Sequence, residues 1–265
     1  MILARDCLAA ERPVDKVAMT LRAASLWADG GGVPPAVDVP ATALRPGRPA
    51  RPVLVHHARL APRKLGSPAG RAAFLHALAH IEFNAINLAW DAVCRFRGLP
   101  ERFYLDWSQV AGEEALHFDM LCARLQELGH DYGDFPAHDG LWEMAEKTAH
   151  DVLVRMALVP RVLEARGLDV TPGMIARLEQ VGDTRSVRIL ERILADEIGH
   201  VRIGTHWYRY LCRQRALDPV LTFGHLWREY RLGPVRKPIN TTARQQAGFD
   251  AMEIDMLETM GGEAT

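Results

Sequence analysis

Long apolar runs are missing from this chain. No stretch approaches the ~18 uninterrupted apolar residues that a membrane span needs, so no membrane partner is expected. Cysteine is scarce: the 4 in 265 residues, Cys7, Cys94, Cys122 and Cys212, lie far apart without a Cys-x-x-Cys pair. That spacing excludes a disulfide framework and a zinc finger, and it suits a reducing, cytoplasmic setting. An excess of charge is also absent. A formal net charge of -1 supplies no global basic field for nucleic acid or an anionic surface. Lysine is rare among the 32 basic residues, limited to Lys16, Lys64, Lys147 and Lys237; GC-rich coding is the plainest cause of the arginine bias. The opening Met1–Asp6 lacks the apolar core of a signal peptide. No flavin or nicotinamide fingerprint, internal repeat or low-complexity tract appears.

The remaining composition, 48% hydrophobic and 25% charged, is that of an ordinary globular protein of one or two domains. Three compositional parts follow. Residues 1–70 open with a helix after Pro13 that ends at Gly30-Gly31-Gly32. An arm rich in Pro, Gly and Ala then runs from Val33 to Pro62, wrapped on the body through Leu54, Val55 and Leu60. Residues 71–215 carry four long helical periodicities. Gly98 and Pro100 stop the first, Gly129 the second and Gly167 the third. Thr171-Pro172 opens a short helix ending at Gly182, and Asp183 caps the fourth, which runs to about Arg213. Residues 216–265 read as two or three short helices around Gly233-Pro234 and Lys237-Pro238.

The core-facing stripes carry polar residues where apolar ones belong. The first helix reads Leu75, Leu78, Glu82, Ala85, Ala89, Val93, Phe96. The second reads Trp107, Val110, Glu114, His117, Leu121, Leu128. The third gives Leu153, Ala157, Glu164. The fourth gives Val187, Leu190, Leu194, Glu197, then His200 and Val201. Four inward carboxylates and two imidazoles are costly to bury without a compensating cation. Glu114 follows Glu82 by 32 residues and Glu197 follows Glu164 by 33, so two similar helical hairpins joined by a long crossover are expected. One Glu from each of two helices, with Glu-x-x-His from each of the other two, is the ligand set of the carboxylate-bridged di-iron bundles. A single Glu-x-x-His is common on solvated helix faces. Two of them, each on an apolar stripe with an inward Glu on its hairpin partner, point to two metal ions. Iron is favoured by this oxygen and imidazole set, with manganese or zinc compatible.

The stretches 75–82, 159–167 and 196–201 (LHALAHIE, VPRVLEARG and DEIGHV), with 132–138 and the tail Ala243…Ala247-Gly248-Phe249, resemble the bacterial ferritin-like proteins of the domain-of-unknown-function-455 family. The resemblance implies an all-α fold: a ferritin-like antiparallel four-helix bundle with an N-terminal helical arm and short C-terminal helices. It also implies the six ligands Glu82, Glu114, His117, Glu164, Glu197 and His200. The wider superfamily includes oxygenases, desaturases, ribonucleotide reductase small subunits and ferroxidases. The expectation is a di-iron oxidoreductase of hydroxylase type that uses O2, an unidentified organic substrate and an external electron donor, in a monomer or small homo-oligomer. A tRNA-modifying hydroxylase is one analogue, served by the arginines Arg45, Arg48 and Arg51 with Arg63-Lys64, although the near-zero net charge weighs against nucleic acid. The alternative is a non-catalytic metal-binding or iron-handling protein.

Other residues read as follows. Glu113 and Asp196, each four residues before a ligand His, are candidates to hydrogen-bond its imidazole. His80, two residues from Glu82, points away from the centre and reads as a core or interface histidine. His76 and His150 are expected to line the interior away from the metals, and His206 to be packed or on the surface. The loop Gly129–Gly140, with His130 and His138, reads as a crossover stabilised by Asx turns rather than a metal site. Pro160, one turn before Glu164, frees the Met156 carbonyl and bends its helix. Tyr104, Tyr132 and Tyr208 are all candidate redox phenols; spacing selects none.

Overall fold

The computed structural model describes residues 4–31, 44–61 and 63–260. Gly32 and the arm residues 33–43 and 62 lie outside them. The described residues form helices and no strand, apart from an isolated bridge between Leu54 and Ala137. The chain is therefore all-α. No helix among the described residues is long and apolar enough to cross a membrane. Two units are present, Met1–Glu146 and Lys147–Thr265, each holding one of the expected hairpins.

In the first unit, α1 (Ala4–Ala9) and α2 (Pro13–Leu26) precede the long pair α3 (Pro68–Arg95) and α4 (Glu101–Glu127). Ser67 caps α3 by accepting from Gly70 N at 3.1 Å, with Pro68 in the first turn. Gly98, at φ +72, and Pro100 return the chain into α4, as the sequence predicts. Tyr104 pins this turn by donating to Phe96 O at 3.2 Å. Residues 82–94 of α3 are buried on all sides, because the N-terminal helices cover what α4 leaves. Trp90 Nε1 donates to Thr20 at 3.0 Å, and Trp27 meets Trp90 edge-on. Gly112 of α4 admits α2: a Cβ there would sit 3.0 Å from Ala24 Cβ.

The described part of the arm docks mainly through its backbone. Gly47 N donates to Leu8 O, while Val55 N and Ala137 N exchange bonds with Ala137 O and Val53 O. Arg48 pairs with Asp139 at 2.6 Å. Leu54, expected as an apolar anchor, is exposed; the bridge leaves its side chain facing solvent, and Pro52 is buried instead. The short α5 (Gly140–Lys147) closes the unit.

The second unit contains α6 (Val152–Leu158), a π-helical segment Val159–Glu164, α7 (Ala165–Gln180), α8 (Thr184–Gln214), α9 (Pro219–Glu229), α10 (Thr241–Gln246) and α11 (Ala251–Met260). Pro160 has no N–H to return to Met156, and the chain widens into π geometry here. Across from it, Gly204 of α8 makes room for the proline ring. The expected stop at Gly167 and new start at Thr171-Pro172 do not occur. α7 runs unbroken through both, with Pro172 inside it. The Leu168 carbonyl that Pro172 leaves without its helical partner instead accepts from Asn240 Nδ2 at 3.1 Å. Gly182, at φ +73, and Asp183 end α7 and cap α8 as expected, Asp183 accepting from Ser186 N at 3.1 Å. Three short helices follow, held by the fully buried Arg161. Its guanidinium lies 4.4 Å from the rings of Tyr208 and Phe223 and 4.6 Å from Phe249, and it pairs with the buried Glu253.

Candidate metal centre

In the first unit, Glu82 of α3 and Glu114 and His117 of α4 converge. All three are buried, and each brings a ligand atom within 4.8 Å of the others. The i, i+3 spacing puts Glu114 and His117 on one face of α4. His117 Nδ1 lies 3.3 Å from Glu114 Oε2 and 3.6 Å from Glu82 Oε2. The latter distance is too long for a hydrogen bond, and no other donor reaches Glu82 Oε2 among the described residues. Burial, then the Glu114 charge, pushes the Glu82 carboxyl well above the usual carboxylate range. Burial pulls the His117 imidazole down, but the Glu114 and Glu82 carboxylates outweigh it and hold it up at about 11.

Ionised together, the two buried carboxylates would leave excess negative charge even beside a protonated imidazole. Without a cation, the raised Glu82 carboxyl relieves this by holding a proton. Burial of unbalanced charge is unfavourable; a divalent cation at this point corrects the balance and uses the oxygen and nitrogen donors together. The donor set therefore fits a metal ion bound by carboxylate and imidazole.

In the second unit, Glu197 and His200 share a face of α8, with His200 Nδ1 3.5 Å from Glu197 Oε1. His200 is fully buried and Glu197 half-buried. Glu164 is the last residue of the π segment and half-buried. The wider turn changes the face on which Glu164 emerges relative to α6.

Glu113 accepts from Gln109 Nε2 at 3.0 Å, and Asp196 from Arg192 Nε at 2.6 Å. Both contacts run along their own helices. His80 behaves as expected of a core histidine: Nδ1 meets Tyr132 OH at 2.8 Å, and Nε2 meets Asn84 Nδ2 at 3.0 Å. His76 is buried and accepts from Gly133 N at 2.9 Å, tying the crossover loop down. In that loop Asp134 accepts from Asp131 N at 2.9 Å, while His138 Nδ1 accepts from Gly140 N. His150 departs from expectation. It is exposed beside Tyr230 and does not line an interior, because the residues before Asp151 form a turn rather than an early part of α6. His206 is exposed.

Sequence reasoning missed that Tyr132 is the one phenol of the three bonded to an imidazole. The signal was the i, i+4, i+8 series His76, His80, Asn84 on one face of α3. Tyr208, by contrast, donates to Pro219 O at 2.6 Å and packs on Arg161. The buried Lys16 was also missed: its ammonium donates to Cys7 O and Leu8 O at the end of α1.

A family model described as "Protein of unknown function (DUF455)" matches residues 9–255. A protein of Haemophilus influenzae described as uncharacterized is 50% identical over 216 residues, covering 79% of this chain and 75% of that protein. No solved structure matches.

Proposed function

The chain belongs to the DUF455 family, and we propose that it is a di-metal carboxylate protein, with iron as the working metal, that carries out O2-dependent oxidation of an organic substrate. In this reading Glu82, Glu114, His117, Glu164, Glu197 and His200 supply the ligands of a metal pair, and α3, α4, the helix through Glu164 and α8 serve as the four helices of a ferritin-like bundle. The observation that carries it is the convergence of two buried carboxylates on His117 Nδ1, with Glu82 Oε2 left without a hydrogen-bond donor. The second Glu-x-x-His, at Glu197 and His200 on α8, supports a pair of ions rather than one.

A bound di-iron pair supplies the redox capacity that O2 chemistry needs. The chain's own part is to hold and shield it. Glu82 and Glu114 offset cationic charge, and His117 and His200 offer neutral imidazole once the cation takes the place of the proton. The apolar residues around Glu82 on α3 keep bulk water from its carboxylate. Electrons come from a separate donor, since no flavin or nicotinamide motif is present in the sequence.

Metal analysis of protein purified from its own host, with optical spectra before and after reduction, tests the reading. About two iron ions per chain, with a near-ultraviolet band that reduction abolishes, is the expected result. Zinc alone with a silent spectrum leaves a non-catalytic metal site and overturns the redox reading.

A further inference from the structure

The second unit holds a recess, walled by arginine-bearing turns of α8, that the metal reading does not use. A cavity of about 280 Å3 is lined by Arg202, Thr205, His206, Arg209 and Arg213 of α8 and by Gly248 from the turn after α10. The α8 residues fall at i, i+3, i+4, i+7 and i+11, so one helix face presents three guanidiniums and an imidazole. A solvated basic stripe would look the same on periodicity alone. Three further observations set this one apart.

Thr205 is 2% exposed, yet its Oγ1 has no hydrogen-bond partner among the described residues. A helical threonine ordinarily bonds back to a carbonyl of the preceding turn, and a buried hydroxyl left unsatisfied is unfavourable. Thr205 is itself one of the residues that line the cavity. Gly248, at φ +91, has no Cβ; one would stand 3.3 Å from Thr205 Cγ2 and crowd the same wall. Its N–H is spent on Gln245 O, so it contributes room and not a donor.

The charge is also one-sided. Arg209 is held by Asp250 at 3.0 Å and Glu253 at 2.7 Å, and Glu253 also pairs with Arg161. Arg202 and Arg213 take part in no ion pair among the described residues. The network thus sets four guanidiniums against two carboxylates. An anion with two negative charges balances it.

We propose that this cavity binds the phosphate group of a small phosphomonoester, with Arg202 and Arg213 as charged donors, Thr205 Oγ1 as a neutral donor and Arg209 fixed in place by its carboxylates. Guanidinium forks match phosphate oxygens in pairs. The volume lies just under the range of about 300–1,000 Å3 usual for small-molecule pockets, so it suits a phosphate with the rest of the molecule extending outward. A phosphodiester backbone would need a longer basic track than this single recess.

Isothermal titration with inorganic phosphate at low ionic strength, followed by adenosine monophosphate and a single-stranded oligonucleotide, tests the proposal. Saturable phosphate binding is expected, with the monophosphate at least as tight. Arg202→Gln and Arg213→Gln should each weaken it about tenfold, the loss of one charge-assisted bond. Thr205→Val should weaken it about fivefold while leaving the melting temperature unchanged or higher, since the hydroxyl it removes has no partner in the unliganded fold. A purely structural Thr205 would not give that split. Chelating the metal, or Glu114→Ala, should leave phosphate affinity intact, so failure of the metal reading does not carry over. Phosphate affinity unchanged in an Arg202→Gln/Arg213→Gln double variant overturns the proposal, and so does oligonucleotide binding that phosphate does not compete away.

Discussion

Pro160 and Gly204 fit each other across the second unit: a Cβ on Gly204 would lie 2.3 Å from Pro160 Cβ and 2.4 Å from its Cγ. The proline ring cannot swing aside, so this contact fixes how the π segment that ends in Glu164 lies on α8. Gly204→Ala is expected to destabilise by about 1–3 kcal/mol through overpacking, although Ala normally gains up to about 1 kcal/mol over Gly inside a helix. Gly173 in α7 has open space around it, and Gly173→Ala should show that ordinary gain. Thermal melts of the two variants give opposite signs if the contact is as described. Pro160→Gly, which removes both Cβ and Cγ, should reduce the cost of Gly204→Ala, whereas Pro160→Ala keeps the Cβ and should not.

Asn240 carries a second, more distant dependence. Its side chain donates to Leu168 O and accepts from Ala243 N at 3.2 Å, so one residue satisfies the carbonyl freed by Pro172 and caps α10. Asn240→Ala should lose about 2 kcal/mol, from a cap and an orphaned carbonyl together. In a Pro172→Ala background the restored N–H can take the Leu168 carbonyl, and the cost of Asn240→Ala should fall by about 1 kcal/mol. Additive losses in denaturant melts would show that the two residues are not coupled.

These two contacts mark where sequence reading stopped. The cap at Asp183, the turn at Gly98 and Pro100, and the polar interruptions at Glu82, Glu114 and His117 are local patterns, and each is legible within one or two helical turns. Pro172 is also a local signal, and it predicts a helix start. What overrides it is an asparagine 68 positions later in the chain, which no local rule can see. The same holds for Tyr132. His76, His80 and Asn84 mark a polar face on α3, but only the folded crossover loop places the phenol against it. His150 differs for the opposite reason: an interior position requires helix back to residue 150, and α6 begins only at Val152.

Stability should fall on acidification through these buried histidines. Burial, joined at His80 by the neighbouring His76, lowers both imidazoles from 6.5 to about 4. Between these values the unfolded chain binds protons that the folded chain does not, so the stability present above pH 6.5 is lost progressively down to about pH 4. His117 is perturbed upward and is protonated in both states over this window, so it adds no slope there. His76→Gln retains an acceptor for Gly133 N and removes one titrating group. Its melting temperature should therefore change less between pH 6.5 and 4.5 than that of the unaltered chain. Parallel pH profiles would show that His76 is not held neutral.

Metal content separates the ligand set from its neighbours on the same helix. Glu114→Ala removes an oxygen that stands 3.3 Å from His117 Nδ1 and leaves the site short of charge, and Glu197→Ala does the same beside His200. Each should reduce the metal below the two ions per chain expected of this ligand set. His80→Ala should keep it, because both His80 nitrogens are occupied by Tyr132 and Asn84, and His138→Ala should keep it too. Circular dichroism checks that each variant folds, since a buried carboxylate can be lost through misfolding. In the unaltered protein, chelation should lower the melting temperature, because metal held by the folded state alone stabilises it, and that difference should shrink in Glu114→Ala. Full metal content in both folded Glu variants overturns the di-metal site; loss in His80→Ala means that the His80 face of α3, rather than the Glu82 face, meets the metal.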